Sequence, residues 1–155
     1  MSGAGSLVVR AGSASDTFAV GSAFGKSLRG PRTLAVSGPL GAGKTVLIQG
    51  VCAGLGVAEP VTSPTYTIVH EYEGGDGRRV VHIDAFRLQH VSEFEQLDAF
   101  DAEPDTITLV EWADRVEAAL PSDAIRVRIE PEGETVRRIS IEVPHGVALE
   151  LPESQ

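Results

Sequence analysis

The chain of 155 residues contains no asparagine, a single cysteine and two lysines, Lys26 and Lys44. One cysteine excludes both an internal disulfide and a metal cluster built from cysteines. The sequence also lacks an apolar run long enough to cross a membrane as a helix. Its first ten residues lack the basic and then apolar layout of a secretion signal. We therefore expect a cytoplasmic protein with no membrane association.

Positive charge is scarce as well. The 13 Lys and Arg residues stand against 22 Asp and Glu residues, which gives a formal net charge of -9. Proteins that bind nucleic acid on their own carry clustered basic side chains, because they must neutralise phosphates. The charge therefore argues against free-standing binding of RNA or DNA. The length predicts one domain, and the apolar share of 42% is that of a globular protein.

The apolar residues that are present alternate between helix-like and strand-like spacing. We expect helices over residues 16–29, 45–55, 92–100 and 113–120, and strands over residues 6–10, 33–37, 67–72, 80–84, 106–112, 124–130 and 136–143. Turn residues at 74–77 and 131–134 predict two hairpins. The order predicts an α/β fold, a three-layer domain over residues 6–148 with a mixed, mainly parallel sheet and added hairpins. Residues 1–5 and 149–155 are expected to be flexible ends.

A glycine-rich loop lies between the second predicted strand and the helix that follows it. The sequence Gly38-x-x-x-x-Gly43-Lys44-Thr45 fits the Walker A pattern. Glycines let backbone N–H groups approach a polyphosphate, Lys44 supplies a charge toward its β- and γ-phosphates, and Thr45 offers a hydroxyl to Mg²⁺. The pattern predicts a P-loop NTPase-like domain. The expected nucleotide-binding residues are Gly38, Leu40, Gly41, Ala42, Gly43, Lys44, Thr45 and Val46.

Two acidic residues end predicted strands at the edge where α/β proteins bind ligands. Asp84 ends the sequence VVHID, and Glu111 ends TITLVE. A P-loop site needs an acid in this position to hold Mg²⁺ or to orient water. The pattern does not divide these two roles between the acids, and an ordinary cap at a strand end is the alternative for either of them.

Four other features allow less specific interpretations. The segment 63–67, SPTYT, lies where P-loop proteins have switch loops, so the hydroxyl of Thr65 is a candidate sensor of the γ-phosphate or Mg²⁺. A proline-anchored turn with solvated hydroxyls is the alternative. Trp112 is typical of a core or edge anchor, and Cys52 of a small buried apolar residue. The four histidines show no metal-ligand spacing.

Four segments in order together resemble one known family. They are GPLGAGKT at 38–45, SPTYTIVHEY at 63–72, HIDAFRL at 82–88 and LVEW at 109–112. The combination is similar to the TsaE (YjeE) family of small bacterial P-loop ATPases, over residues 16–146. The resemblance implies an ATPase of weak intrinsic activity, dependent on ATP and Mg²⁺, that supports threonylcarbamoyladenosine (t6A) modification of tRNAs reading ANN codons.

The resemblance also implies partners. Members of the family bind the TsaD–TsaB heterodimer and permit its multiple turnover, without catalysing the carbamoyl transfer themselves. Homologues of TsaD and TsaB are therefore the expected partners, and tRNA would be reached only through their complex.

Several residue roles follow from the resemblance alone. Thr45 and Glu111 would be Mg²⁺ ligands, and Asp84 and Thr65 would join Lys44 in hydrolysis or switch coupling. The adenine would lie between residues 13–17 and the C-terminal hairpin, with Arg138 as its basic neighbour. The sequence departs from the family pattern at Pro39, Phe86 and Asp98, none of which is a phosphate donor.

Two other P-loop classes are rivals to this interpretation. A GTPase needs the Asn-Lys-x-Asp motif, and a chain without asparagine cannot contain it intact. A small-molecule or nucleotide kinase remains the alternative. Kinases of this kind carry an arginine-rich lid and a second substrate pocket, whereas Arg78 and Arg79 fall on a tight predicted hairpin.

Overall fold

The computed structural model describes residues 5–29, 32–61, 69–88, 90–95 and 105–144. The strands are β1 Gly5–Ala11, β2 Arg32–Ser37, β3 Val69–Glu73, β4 Arg79–Asp84, β5 Ile107–Glu111, β6 Ile125–Pro131 and β7 Arg137–Val143. The α-helices are α1 Ala14–Ser27, α2 Lys44–Gly54 and α3 Val91–Glu95, and Ala85–Arg87 and Ala113–Ala119 are 3₁₀ segments. Residue 5 of the predicted flexible ends lies in β1, and the others lie outside the described residues.

The strands form one sheet in the order β1-β7-β6-β2-β5-β4-β3. The four central strands β6, β2, β5 and β4 are parallel to one another. The hairpins β3–β4 and β6–β7 are antiparallel, and β1 pairs with β7 at the outer edge. The predicted mixed, mainly parallel sheet with two added hairpins is therefore confirmed.

Helices cover both faces of the sheet, which confirms three layers. On one face α1 and α2 bury Phe24 and Leu47 against strand residues such as Leu34 and Leu109. On the other face α3 and the segment Ala113–Ala119 pack on a second, smaller apolar cluster. Strands buried on both faces are typical of a parallel sheet between helices. Among the helices in the described ranges, none is long and apolar enough to cross a membrane.

The segment after β5 differs from the prediction. Residues 113–120 were expected to form an α-helix, but Ala113–Ala119 is a 3₁₀ segment interrupted at Val116. Ala113, Val116 and Ala119 pack against the second apolar cluster at intervals of three residues. A 3₁₀ helix places such residues on one face because it has three residues per turn. Of the helix expected over 92–100, α3 contains Val91–Glu95, and residues 96–100 lie outside the described part.

The helices α1 and α2 touch through their backbones. Gly21 and Gly25 of α1 face Gly50 and Gly54 of α2, and a Cβ on any of the four would collide with a carbonyl oxygen of the facing helix. Spacing by four residues places each pair on one side of its helix. The close contact leaves no room for side chains between the helices at this crossing. Cys52 of α2 is buried, and burial raises the pKa of its thiol to about 12.

Replacing Gly21 or Gly50 by alanine should destabilise the protein by about 1–3 kcal/mol, because the added methyl group must push the two helix backbones apart. Urea unfolding of each variant measures this loss. Gly133→Ala is the matched control, since the nearest atom to a Cβ there is 4.0 Å away. Equal stability of Gly21→Ala and Gly133→Ala would contradict a backbone-to-backbone crossing.

Candidate functional site

The glycine loop of residues 38–43 joins the carboxyl end of β2 to the amino end of α2. Gly43 caps α2 with a φ of 105°, a left-handed conformation that side chains rarely adopt. Gly38 has a φ of 151°, and a Cβ there would collide with the carbonyl oxygen of Ile129 in β6. The loop therefore packs closely against β6. It runs directly into the amino end of α2, and the backbone N–H groups at a helix amino end are a common binding site for anions.

Lys44 is buried in this loop, with 5% of its surface exposed. Its Nζ donates hydrogen bonds to the carbonyl oxygens of Gly38 and Pro39, both at 2.7 Å. Burial lowers the pKa of the Lys44 ammonium, and nearby carboxylates, chiefly that of Glu111, oppose the shift. The ammonium is thus held beside the loop by partners that a phosphate could replace.

Glu111 is a buried carboxylate, 3% exposed, whose two oxygens have different partners. Its Oε1 accepts a hydrogen bond from Thr45 Oγ1 at 3.0 Å. Its Oε2 lies 2.6 Å from Nε2 of His82, which is fully buried in β4. A hydrogen bond to this carboxylate requires the proton of His82 to be on Nε2. Glu111 therefore connects the start of α2 with the ends of β5 and β4.

Sequence reasoning did not predict this contact of His82. The four histidines show no metal-ligand spacing, so their pattern does not mark His82 as a site residue. One signal was present, because residues two apart on a strand share a face. His82 and Asp84 therefore lie on the same face of β4, next to the strand that Glu111 ends.

Asp84 lies opposite Glu111 in the pairing of β4 with β5, so the two acids meet at one edge of the sheet as predicted. Its Oδ1 accepts a hydrogen bond from Phe86 N at 2.9 Å and caps the segment Ala85–Arg87. Asp84 also lines the cavity beside Lys44. The carboxylate thus serves as a strand-end cap and remains part of the candidate site.

Trp112 follows Glu111 and has a left-handed backbone, with a φ of 57°. A positive φ is uncommon in residues other than glycine and marks a backbone under local strain. The centroid of the Trp112 ring lies 3.8 Å from Lys44 Nζ. It lies 4.9 Å from the centroid of the Phe86 ring. The guanidinium of Arg115 lies over the ring of Phe86, 4.9 Å from its centroid. Trp112 therefore forms a wall of the site as well as an anchor.

Two adjoining cavities lie on either side of the glycine loop. The first, of about 380 Å³, is lined by Lys44, Thr45, Asp84 and Glu111, and Leu40, 85% exposed, lies at its rim. The second, of about 280 Å³, lies between the start of α1 and the β6–β7 hairpin. Both contain Gly41, Gly43 and Val46. The two cavities therefore adjoin across the glycine loop.

The arginine at the second cavity is Arg137. Its guanidinium donates to the carbonyl oxygens of Ala42 at 2.9 Å and Gly41 at 3.5 Å. Arg138, the residue expected from the sequence, is exposed and does not line that cavity. Strand alternation is the signal that separates them, because Arg137 shares a face of β7 with the buried Ile139. Thr65 lies outside the described residues.

A larger cavity of about 690 Å³ lies at the other ends of α1 and α2, about 15 Å from Lys44 by the rise of α2. Lys26, Arg29, Arg78 and Arg79 line it. The guanidinium of Arg78 donates to Leu28 O and to the carboxylate of Asp76, so it joins the hairpin to α1. These contacts belong to packing between elements.

Comparisons with known proteins identify the family. The model of the family described as "Threonylcarbamoyl adenosine biosynthesis protein TsaE" matches residues 11–139. A relative from Streptomyces coelicolor, named tRNA threonylcarbamoyladenosine biosynthesis protein TsaE, is 41% identical over 113 residues, covering 72% of this chain and 76% of its own. A protein of the same name from Treponema pallidum is 31% identical over 130 residues, covering 83% and 95%.

A solved structure matches the fold as well. The crystal structure of YdiB from Bacillus subtilis has a TM-score of 0.70 and 27% identity, and the match covers 90% of this chain and 86% of that one. Fold and loop together define a P-loop NTPase-like α/β protein. The chain belongs to the TsaE family, which serves the biosynthesis of t6A in tRNA. The family resemblance noted in the sequence is therefore confirmed.

The contact between Lys44 and Trp112 can be tested by fluorescence, since Trp112 is the single tryptophan. Lys44→Ala removes the ammonium from the ring, so the emission of Trp112 should shift in the absence of any nucleotide. Lys26→Ala is the matched control, because Lys26 is the other lysine and is exposed on α1. An identical spectrum for both variants and the parent protein would contradict the contact.

Proposed function

We propose that this protein binds and hydrolyses ATP with Mg²⁺ and thereby supports t6A modification of tRNAs reading ANN codons. It acts on a complex of TsaD and TsaB homologues and permits their multiple turnover. The observation that carries the proposal is the buried Lys44 ammonium at the glycine loop, beside the hydrogen bond between Thr45 and Glu111. Family membership supplies the pathway.

Binding of the polyphosphate is the task of the loop and the first turn of α2. The first N–H groups of a helix have no partner within it, and they can donate to phosphate oxygens. Lys44 would exchange the carbonyl oxygens of Gly38 and Pro39 for the β- and γ-phosphates. Gly41 and Val46 border both cavities, so one nucleotide could extend across the loop from one cavity to the other. The phosphates would lie in the first cavity, which Lys44 lines, and the base in the second.

The donor set beside the loop suits Mg²⁺, which prefers hard oxygen ligands. The oxygens available are the Thr45 hydroxyl and the carboxylates of Glu111 and Asp84, which line one cavity. Bound Mg²⁺ would neutralise charge on the β- and γ-phosphate oxygens. His82 would hold the Glu111 carboxylate in its orientation, and Asp84 would orient the attacking water.

Two further site residues are proposed. Thr65 is proposed to couple the nucleotide state to a switch loop. Arg138 is proposed as a basic neighbour of the adenine, although its side chain is exposed and does not line the second cavity.

The partners follow from the family and the charge. A chain with a formal net charge of -9 is a poor ligand for a tRNA backbone by itself. We therefore propose that it contacts tRNA only indirectly, through the complex of TsaD and TsaB homologues in the cytoplasm. It is not the threonylcarbamoyl transferase.

The decisive experiment is an ATPase assay of the purified protein, alone and with TsaD, TsaB and tRNA. We expect slow hydrolysis alone, stimulation by the partners, and repeated t6A formation only when the protein and ATP are present. Lys44→Ala should abolish hydrolysis, because the phosphates lose their buried cation. Normal hydrolysis by Lys44→Ala would contradict the site, and phosphorylation of a metabolite without partner stimulation would favour a kinase.

Glu111→Gln should lower Mg²⁺-dependent hydrolysis by about 10-fold or more, because the uncharged amide is a poor metal ligand. Binding of ATP without Mg²⁺ should change little, because the loop donors remain. Titration calorimetry with and without Mg²⁺ separates the two effects. Glu117→Gln is the control, since Glu117 is exposed and pairs with Arg126 outside the cavities. Equal losses with and without Mg²⁺ would count against a metal role.

A further inference from the structure

Arg137 joins the β6–β7 hairpin to the glycine loop through five carbonyl oxygens. On the hairpin side its Nη1 lies 3.2 Å from Gly133 O, 3.4 Å from Glu134 O and 3.1 Å from Val136 O. On the loop side its Nε donates to Ala42 O at 2.9 Å, and its Nη2 lies 3.5 Å from Gly41 O. The guanidinium therefore joins the glycine loop to the turn of the β6–β7 hairpin, although Arg137 and Ala42 are 95 residues apart.

The bond to Ala42 O orients a peptide plane. In a trans peptide the C=O of one residue and the N–H of the next point in opposite directions. With Ala42 O turned toward Arg137, the N–H of Gly43 must point to the other side of the loop. Arg137 borders the second cavity and is absent from the lining of the first, which contains Lys44 and Thr45. The Gly43 N–H is therefore directed away from the second cavity.

This peptide needs an external restraint because its neighbours are glycines. Gly41 and Gly43 have φ values of 79° and 105°, and glycine crosses between such conformations at little cost. A flip of the Ala42–Gly43 peptide would turn a carbonyl oxygen toward the phosphates, where it would repel them. The hydrogen bond from Arg137 to Ala42 O would oppose that flip.

We propose that Arg137 is a positioning residue for phosphate binding, which holds the Ala42–Gly43 peptide with its N–H toward the polyphosphate. The inference rests on the proposed nucleotide function and deepens it. Arg137 acts through the loop backbone rather than through a contact with the base. The chemical class of ligand that depends on it is thus any polyphosphate, with or without a nucleoside.

The planar fork of arginine matters more than its charge in this role. A guanidinium can bond the hairpin and the loop at once in fixed directions, whereas a lysine ammonium is a point charge on a flexible stem. Arg137→Lys therefore keeps the positive charge and loses the restraint. If Arg137 acted only by attracting phosphate through its charge, Arg137→Lys would bind polyphosphate as tightly as the parent protein does.

The test compares Arg137→Ala, Arg137→Lys and Arg126→Ala with the parent protein by calorimetry, using Mg-ATP and inorganic tripolyphosphate as probes. Arg126 is the control, because it carries the same charge and pairs with Glu117 away from the lining of both cavities. We expect both Arg137 variants to bind both probes about 10-fold more weakly, the loss typical of a hydrogen bond with a charged partner. Arg126→Ala should bind both as the parent does.

Three outcomes would overturn the proposal. Loss of ATP binding with tripolyphosphate binding intact would assign Arg137 to the base. Full affinity in Arg137→Lys would reduce its role to charge, and full affinity in Arg137→Ala would remove the role altogether. Parent protein that binds neither probe would overturn the proposed function itself, which is a separate result.

Hydrogen exchange provides a second measurement that needs no ligand. Amides of residues 41–46 should exchange faster in Arg137→Ala and Arg137→Lys than in Arg126→Ala, with melting temperatures compared in parallel. Unchanged exchange in the loop of both Arg137 variants would show that the restraint lies elsewhere. Faster exchange throughout the sheet would show that Arg137 supports the fold in general, which also contradicts a positioning role.

Discussion

The buried carboxylate of Glu111 is the interaction on which the arrangement of the site depends. A charge taken out of water must be matched by hydrogen bonds, or its burial costs several kcal/mol. Thr45 donates a hydrogen bond to one oxygen, and His82 Nε2 lies within hydrogen-bond distance of the other. These two partners belong to α2 and β4, so the charge can be buried only when β2, β5 and β4 are in register. The same requirement brings the hydroxyl of Thr45 and the carboxylate of Asp84 to one cavity.

Lys44 is held in a complementary way. Its ammonium is satisfied by two loop carbonyls and covered by the ring of Trp112. In the proposed function a nucleotide would exchange these partners for its phosphates, so the free energy of binding would be the difference between two well-bonded states. Arg137 and the contact of α1 with α2 join the glycine loop and the helix that follows it to neighbouring elements.

Much of the fold was predictable from local patterns. The strand, glycine loop and helix of residues 32–54 follow from spacing and composition, as do both hairpins. The 3₁₀ segment Ala113–Ala119 was missed, because a short segment with apolar residues at every third position fits both helix types over one turn. The glycine crossing of α1 and α2 was missed as well, since neither helix alone indicates which glycines will face a partner.

By itself the sequence determined the glycine loop, Lys44 and Thr45, and the two acids at the strand ends, because each depends on neighbours within a few residues. Only the tertiary structure decided that His82 meets Glu111 and that Arg137, rather than Arg138, reaches the loop. Those contacts join residues that are 29 and 95 positions apart. Their geometry is set by strand order and register, which arise from packing of the whole sheet and leave little trace in any short segment.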